Sequence, residues 1–145
     1  MVQDSNGEEI YPTILVMLGA TGDLARSKLI PALWDLHMLG KLPPLLQVIG
    51  FAMDELSDDQ FREHVQKVVT DAREVDLKVC QDFCQRFVYE PGKFEDAGAY
   101  KRLGERMGRQ DDQWNLCTNK LFYIAASPVH YKTIFQSLHD SGLTE

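Results

Sequence analysis

The sequence predicts an α/β fold, a doubly wound parallel sheet with helices on both faces. The apolar run over residues 14–18 has no polar interruption, which is typical of a central parallel strand buried on both faces. It is followed at once by Gly19-Ala20-Thr21-Gly22 and then by a segment of helical periodicity, the layout of strand, tight turn and helix. Further apolar runs alternate with helical patterns, which implies right-handed crossovers between parallel strands.

Composition limits the classes of function. The chain has 145 residues, 44% of them hydrophobic, enough for one core of ordinary domain size. A net charge of -7 without a long basic stripe argues against a nucleic-acid partner. No apolar run reaches the roughly 20 residues that cross a bilayer, and the acidic, polar start is not signal-like, so we expect no membrane partner.

The three cysteines, Cys80, Cys84 and Cys117, show no CxxC spacing. Free thiols in a reducing compartment explain them most simply, which predicts a cytoplasmic protein. Cys80 and Cys84 also fit the apolar stripe of a helix, as small buried groups. We therefore predict no metal site.

The first helix is expected to begin near Gly22 or Asp23, after a flexible leader over residues 1–12. Leucines 29, 33, 36 and 39 suggest one apolar stripe, and Gly40 is well placed to end the helix. Pro31 removes a backbone hydrogen bond, so a kink or a new segment is expected near Ile30.

The remaining elements follow from apolar periodicity and from capping signals. The predicted strands cover residues 45–51, 87–89 and 121–126, with a turn at 90–92 and a loop over 108–115. The predicted helices cover residues 75–86, Ala97 to Met107, and Ser127 and Pro128 to Gly142. A further helix is capped by Ser57 and Gln60 and buries Phe61, Val65, Val68 and Val69.

The turn after the first strand has the chemistry of an anion site. Glycines at 19 and 22 allow a sharp turn and close approach of a ligand, and the N–H groups of the helix start favour a negative charge. Thr21 can add a hydroxyl, and Ala25 is small enough for close packing. The pattern is not GxGxxG, and an ordinary tight turn would also use glycine. We predict a nucleotide pyrophosphate here, with residues 19–24, 52–55 and 126–128 meeting at the site.

The run Gly19-Ala20-Thr21-Gly22-Asp23-Leu24-Ala25, with Lys28 and Pro31 after it, closely resembles the N-terminal cofactor domain of the glucose-6-phosphate dehydrogenase family. Residues 48–52, VIGFA, resemble the family's second strand, and residues 94–103 resemble a family helix. Residues 119–125 with Pro128 and Tyr131 resemble its NRLFYLA-x-PP-x-x-Y segment. The resemblance spans about residues 14–142 and implies a Rossmann-like dinucleotide-binding domain over residues 13–145.

That family oxidises glucose 6-phosphate to its lactone and passes a hydride to NADP, in the oxidative pentose phosphate pathway. The resemblance implies cofactor contacts from the first turn, the end of the second strand and the last helix. These residues are Gly19, Ala20, Thr21, Gly22, Asp23, Leu24, Ala25, Arg26, Met53 and Tyr131. Lys28 would face the substrate; its alternative role is a solvated helix lysine. Asp23 could equally be an acid that stabilises the helix dipole.

Two positions depart from the family pattern. Where the family usually places an arginine that clamps the 2'-phosphate of NADP, this chain has Met53, followed by Asp54 and Glu55. These carboxylates suggest a weakened preference for NADP and tolerance of NAD; alternatively they point to solvent before the Ser57 cap. Ser127 replaces the first proline of the family's Pro-Pro pair, so the resemblance leaves open whether the bond before Pro128 is cis.

The family's EKPFG and RIDHY segments are not in this sequence, and no histidine lies in such a motif. We therefore expect a partial dinucleotide-binding domain, incomplete at the C-terminal end, with the substrate and catalytic domain absent. Such a chain would bind cofactor without catalysis, would meet glucose 6-phosphate only with the missing domain, and would tend to self-associate. The alternatives are a stand-alone dinucleotide-binding or sensor module and a degenerate domain that has lost its ligand.

Overall fold

A computed structural model describes residues 2–3 and 9–144. Within the predicted leader, β1 (Val2–Gln3) and β2 (Glu9–Ile10) pair as a small antiparallel sheet. Residues 1 and 4–8 of that leader, and residue 145 of the predicted domain, lie outside the described residues.

The main sheet has four parallel strands in the order β5-β4-β3-β6. Its strands are β3 (Thr13–Leu18), β4 (Leu46–Ala52), β5 (Phe87–Pro91) and β6 (Asn119–Ile124). The central strand β3 aligns Thr13 with Leu46 of β4 on one side and with Asn119 of β6 on the other. The predicted parallel α/β fold is confirmed, and the strand order reverses between β3 and β6.

Five α-helices connect or follow these strands in the described chain: α1 (Ile30–Met38), α2 (Asp58–Ala72), α3 (Leu77–Cys84), α4 (Ala97–Trp114) and α5 (Tyr131–Asp140). A π-helical turn (Ala25–Leu29) precedes α1, and a 3-10 turn (Pro128–His130) precedes α5. The predicted capping box is confirmed at α2, where the Ser57 hydroxyl accepts from Gln60 N at 3.1 Å.

The core lies in two layers, one on each face of the sheet. The layer under α1, α2 and α3 includes Met17, Trp34, Phe61, Cys80, Phe83 and Phe87. The layer under α4 and α5 includes Ile14, Val16, Phe51, Tyr100, Leu103 and Ile134. Alternate residues of β3 therefore enter opposite layers, which explains why the sequence of this strand is apolar without interruption.

The π turn accounts for Pro31. The Ile30 N–H donates to Ala25 O across the wider turn, and Pro31 falls within the first turn of α1, where its missing N–H costs nothing. The predicted new segment near Ile30 is confirmed, and Gly40, with φ +68°, follows the end of α1 as expected.

The predicted leucine stripe is wrong for two of its members. Leu36 and Leu39 are 41% and 70% exposed, whereas Ile30, Leu33 and Trp34 are buried. In an α-helix, residues three positions apart are separated by about 300° around the axis. Each further step of three therefore moves the side chain about 60° away from the direction of the first one. The buried stripe of α1 instead begins at Ile30 and continues three and four residues later, at Leu33 and Trp34.

The loop predicted over 108–115 is also wrong, because α4 continues to Trp114. Its polar residues have partners: Gln110 is buried and its Oε1 accepts from Gln47 Nε2 at 2.6 Å. Asp111 accepts from the Thr118 hydroxyl at 2.7 Å and from Lys120 Nζ at 2.8 Å. Asn115 then ends the helix with φ 55°. Hydrogen bonds from these polar side chains to other parts of the chain therefore allow the helix to continue through the polar run.

Several boundaries shift by a few residues. β5 extends to Pro91, β6 runs over Asn119–Ile124, and α3 is shorter than predicted, with Asp76 as its cap. The last helix begins as the 3-10 turn, without a side-chain cap from Ser127. No cis peptide bond occurs in the described chain, so the bond before Pro128 is trans.

Over the described ranges, no helix combines the length and the apolar character that a membrane span requires. The three thiols are free; Cys80 and Cys84 are buried as predicted, and Cys117 is exposed. No group of three or more potential metal-ligating side chains is found among these residues.

Candidate functional site

A cavity of about 790 Å³ lies at the carboxyl ends of the four parallel strands. Its walls come from the turn after β3 (Gly19 and 21–24), the end of β4 (52–54), the end of β5 (92–95) and the segment after β6 (125–127 with His130). The three segments predicted to meet do so. The fourth, at the end of β5, was missed.

Gly19 brings the turn against the end of β6. Its φ is +91°, and a Cβ added there would lie 2.6 Å from Ala125 O. Its N–H donates to Phe51 O at 2.8 Å, while Gly22 N–H donates back to Gly19 O at 3.0 Å. The turn is therefore held by backbone groups alone, and its inner side stays free of side chains at Gly19.

The helix start supplies donors to this cavity. The chain becomes helical at Asp23, and the first N–H groups of a helix have no intrahelical partner and carry partial positive charge. Leu24, 39% exposed, lines the cavity beside Asp23. Arg26 Nη2 donates to Asp23 Oδ1 at 2.5 Å, and both side chains are largely exposed. An anion fits this turn.

Tyr89 fixes the other main wall, the end of β4. Its hydroxyl lies 3.1 Å from Ala52 O and 2.7 Å from Asp54 O, within donor distance of both carbonyl oxygens. Burial, with a smaller contribution from Asp54 and Glu55, raises the pKa of Tyr89 above its usual value, so the hydroxyl keeps its proton. Met53 is 70% exposed in this wall.

His64 lies behind this region, with its ring stacked on Phe61 at 6.1 Å between centroids. Burial lowers its pKa, the nearby Arg26 lowers it further, and Asp54 opposes them. Its buried Nε2 has no hydrogen-bond partner among the described residues. The ring is therefore neutral near pH 7, because its pKa falls below about 6.5.

Six of the site residues expected from the resemblance line the cavity, from two of its walls, and the others lie outside its lining. Gly19, Thr21, Gly22, Asp23, Leu24 and Met53 line the cavity. Ala20 and Ala25 are buried in the core beneath the turn, while Arg26 and Lys28 are exposed on the helix that follows. Tyr131 is outside the lining and contacts Phe135, with 6.3 Å between ring centroids. Asp54 lines the cavity, and Glu55 does not.

Lys93, Phe94, Glu95 and His130 also line the cavity, and none was predicted. Phe94 and His130 contact each other across two loops, with ring centroids 5.2 Å apart. The signal for 92–95 was available, because every parallel strand of such a sheet directs its carboxyl end to the same edge. His130 had no comparable signal, since its place depends on the 3-10 turn.

These features define a class of protein. A glycine turn and a helix start face a cavity at the carboxyl ends of parallel strands, beside the point where the strand order reverses. This is the dinucleotide-binding arrangement of doubly wound α/β domains.

Comparison with known proteins identifies the family. The family model described as "Glucose-6-phosphate dehydrogenase, NAD binding domain" matches residues 16–145. The chain belongs to this family. The predicted resemblance is thereby confirmed, and the family supports NADP as the cofactor of the domain.

Curated relatives and solved structures agree with this assignment. Glucose-6-phosphate 1-dehydrogenase of Chlamydia pneumoniae is 35% identical over 134 residues, which cover 91% of this chain and 26% of that protein. Glucose-6-phosphate 1-dehydrogenase 2 of Mycobacterium tuberculosis is 33% identical, with the same coverage. The crystal structure of the Mycobacterium avium enzyme superposes with a TM-score of 0.79 at 27% identity, over 92% of this chain and 28% of that one. The chain thus spans about a quarter of the length of these relatives.

Proposed function

We propose that this chain is the cofactor-binding part of a glucose-6-phosphate dehydrogenase, which oxidises glucose 6-phosphate to 6-phosphogluconolactone with NADP. The observation that carries the proposal is the cavity at the strand ends, with the backbone of Gly19 pressed against Ala125. A solved structure of a glucose-6-phosphate dehydrogenase in complex with its substrate glucose 6-phosphate has a TM-score of 0.80 to this chain at 26% identity, which supports the substrate assignment.

The residues present fit a dinucleotide. The turn at Gly19 and Gly22 leaves its inner side free, and the N–H groups of Asp23 and Leu24 at the helix start would hold the pyrophosphate. Thr21 would add a hydroxyl donor. The part of the cavity lined by Phe94, His130 and Met53 would contact a planar ring of the ligand.

A bound NADP would supply the acceptor for the hydride that leaves the sugar carbon. The sugar hydroxyl must also lose its proton to a base, and we assign no residue of this chain to that role. Lys28 is exposed on the π turn, and no ion pair holds it in the described part of the chain, so it is free to face a substrate. We therefore propose that this chain binds the cofactor without catalysing the reaction.

Placement of Tyr131 at the cofactor remains part of this proposal. Its side chain is 37% exposed on the first turn of α5, directly after His130, which lines the cavity. Replacement by leucine should then weaken dinucleotide binding several-fold without loss of fold, as measured by calorimetric titration and circular dichroism.

The central test is binding by the purified chain. Titration with NADP should give saturable heat, and Leu24→Glu should weaken it at least tenfold, because a carboxylate at the helix start repels the pyrophosphate. Leu77→Glu is the matched control, since Leu77 is also an exposed leucine at a helix start and lies outside the cavity. No saturable binding of NADP or NAD, or equal losses in both variants, would contradict the proposal.

We also propose that the isolated chain self-associates through β6. This strand is at the edge of the sheet, and Leu121 and Tyr123 on one of its faces are 56% and 43% exposed. An exposed apolar edge strand recruits other strands. Light scattering should show a mass above one chain that falls with Leu121→Lys, whereas a monomer at high concentration would contradict this.

A cytoplasmic location completes the proposal. The three thiols are free, and two of them are buried, which suits a reducing compartment. Burial raises the pKa of Cys84 to about 12, so this thiol does not ionise. Localisation of a tagged protein by microscopy tests the assignment; a membrane or secreted signal would contradict it.

A further inference from the structure

We infer that the end of β4 reduces the preference for NADP over NAD, with Asp54 as the residue that determines this specificity. The inference rests on the proposed dinucleotide function. The two ligands differ only at one ribose, which carries a 2'-phosphate in NADP and a free 2'-hydroxyl in NAD.

Asp54 has a defined place in the cavity. It follows β4, the strand next to the one that carries the glycine turn, and the end of this strand receives the ribose in doubly wound domains. The Tyr89 hydroxyl lies 2.7 Å from Asp54 O and 3.1 Å from Ala52 O. The buried side chain of Tyr89 therefore holds in place the backbone that carries the Asp54 carboxylate.

The charges around the cavity oppose a further phosphate. Among the described residues, three acidic residues, Asp23, Asp54 and Glu95, line it, against one lysine, Lys93. Asp23 is already paired with Arg26. No salt bridge of the described chain includes Asp54, so no neighbouring cation neutralises its charge before a ligand binds at the end of β4.

A carboxylate at this position favours one ligand for two reasons. It accepts a hydrogen bond from a free 2'-hydroxyl, and it repels a dianionic phosphate at short range. Met53, the neighbouring residue in the wall, is 70% exposed; its thioether offers apolar contact to a ring and no positive charge.

Lys93 offers the competing explanation. It lies at the end of β5, next to β4, and is exposed in the same cavity. An ammonium there could hold the 2'-phosphate and restore a strong NADP preference. A decisive experiment must therefore remove each charge separately.

Isothermal titration of the purified chain with NADP and with NAD measures the ratio of the two dissociation constants. We expect NADP to bind less than tenfold tighter than NAD. Asp54→Asn should shift the ratio at least threefold toward NADP, because it removes the charge and keeps an oxygen acceptor. Glu74→Gln is the matched control, because Glu74 is an exposed acidic residue that does not line the cavity, and it should leave the ratio within twofold.

The outcomes separate the two proposals. Three results would each overturn the role of Asp54 while leaving dinucleotide binding intact: a tenfold or greater preference for NADP, loss of an NADP preference in Lys93→Gln, or equal shifts of the ratio in Asp54→Asn and Glu74→Gln. Failure of both ligands to bind would overturn the proposed function and this inference together.

Met53→Arg gives an independent gain of function: it should tighten NADP binding several-fold with little effect on NAD binding. An unchanged ratio of the two dissociation constants would contradict the inference.

Discussion

Nε of Arg106 donates to Oε1 of Glu90 at 3.2 Å and so joins α4 to the end of β5. The same guanidinium donates from Nη1 to Asp58 Oδ2 at 3.3 Å, and Asp58 Oδ1 accepts from Tyr89 N at 2.8 Å. Glu90 is only 7% exposed. This network ties the strand end beside the cavity to helices on both faces of the sheet.

Arg106→Met should lower the free energy of unfolding by about 1–3 kcal/mol, because it leaves two carboxylates with fewer partners, one of them buried. Urea denaturation followed by circular dichroism measures the change. Arg109→Met is the control, since Arg109 is exposed on the same helix and forms no ion pair in the described chain; it should change stability by less than about 0.5 kcal/mol. Equal effects would mean that the network adds no stability.

Gly19→Ala should destabilise the fold more than Gly40→Ala. Both glycines have positive φ, which costs an alanine about 1–2 kcal/mol, but a Cβ at Gly40 meets nothing within 4 Å, whereas one at Gly19 lies 2.6 Å from Ala125 O. The difference between the two variants, about 1–3 kcal/mol, isolates the close approach of the turn to the end of β6. Thermal and urea unfolding measure it, and equal losses would show that the approach relaxes freely.

Gly108→Ala should stabilise the protein by about 0.5–1 kcal/mol, because glycine is a poor helix former. Gly108 lies inside α4, and a Cβ there has open space, whereas at Gly104 it would meet Leu143 Cδ2 at 3.1 Å. Gly104→Ala should therefore gain less. A loss of stability in Gly108→Ala would contradict a continuous helix here.

Stability should fall as the pH drops below about 6.5, the ordinary pKa of histidine. Burial is the main reason that the pKa values of His37 and His64 are lowered. The unfolded chain therefore takes up protons at a higher pH than the folded one, and stability is full above about pH 6.5 and is lost as the pH falls toward the folded values. Urea midpoints across this range measure the loss.

His37→Phe combined with His64→Gln should flatten this pH dependence, because neither replacement titrates. His37 lies among aromatic rings, 5.8 Å from Trp34 and 5.2 Å from Phe83 between centroids, which phenylalanine can match. His139→Gln, at an exposed position, should leave the pH dependence unchanged. A steep dependence that persists in the double variant would assign it to other groups.

The fold was readable from the sequence where local pattern and burial coincide. An unbroken apolar strand, a capping box at Ser57 and a glycine after the first helix each follow from short-range physics, and each is present. The wrong leucine stripe was an error of helix phase, whereas the wrong loop over 108–115 arose where distant partners decide. Helix α4 continues through a polar run because Gln110 meets Gln47, 63 residues away, and because Asp111 meets Lys120.

The candidate site was likewise predicted where the sequence pattern is local and missed where distant segments meet. The turn at Gly19 and the end of β4 were predicted, because glycine spacing and strand ends are visible in the sequence. Tyr89 was missed, since its hydroxyl reaches Asp54 O only through the pairing of β5 with β4. The contact of Phe94 with His130 likewise depends on two segments 36 residues apart in sequence coming together at the same edge.

The π turn over Ala25–Leu29 separates an exposed basic part of this helical segment from a buried apolar part. Before Ile30 the chain presents Arg26 and Lys28 to the outside, and from Ile30 onward it buries Leu33 and Trp34. One additional residue per turn changes the angular phase between these halves by about 100°. Deletion of a single residue here would rotate Arg26 and Lys28 around the helix axis by about 100° relative to Trp34, so the length of this turn sets the direction in which the two basic side chains point.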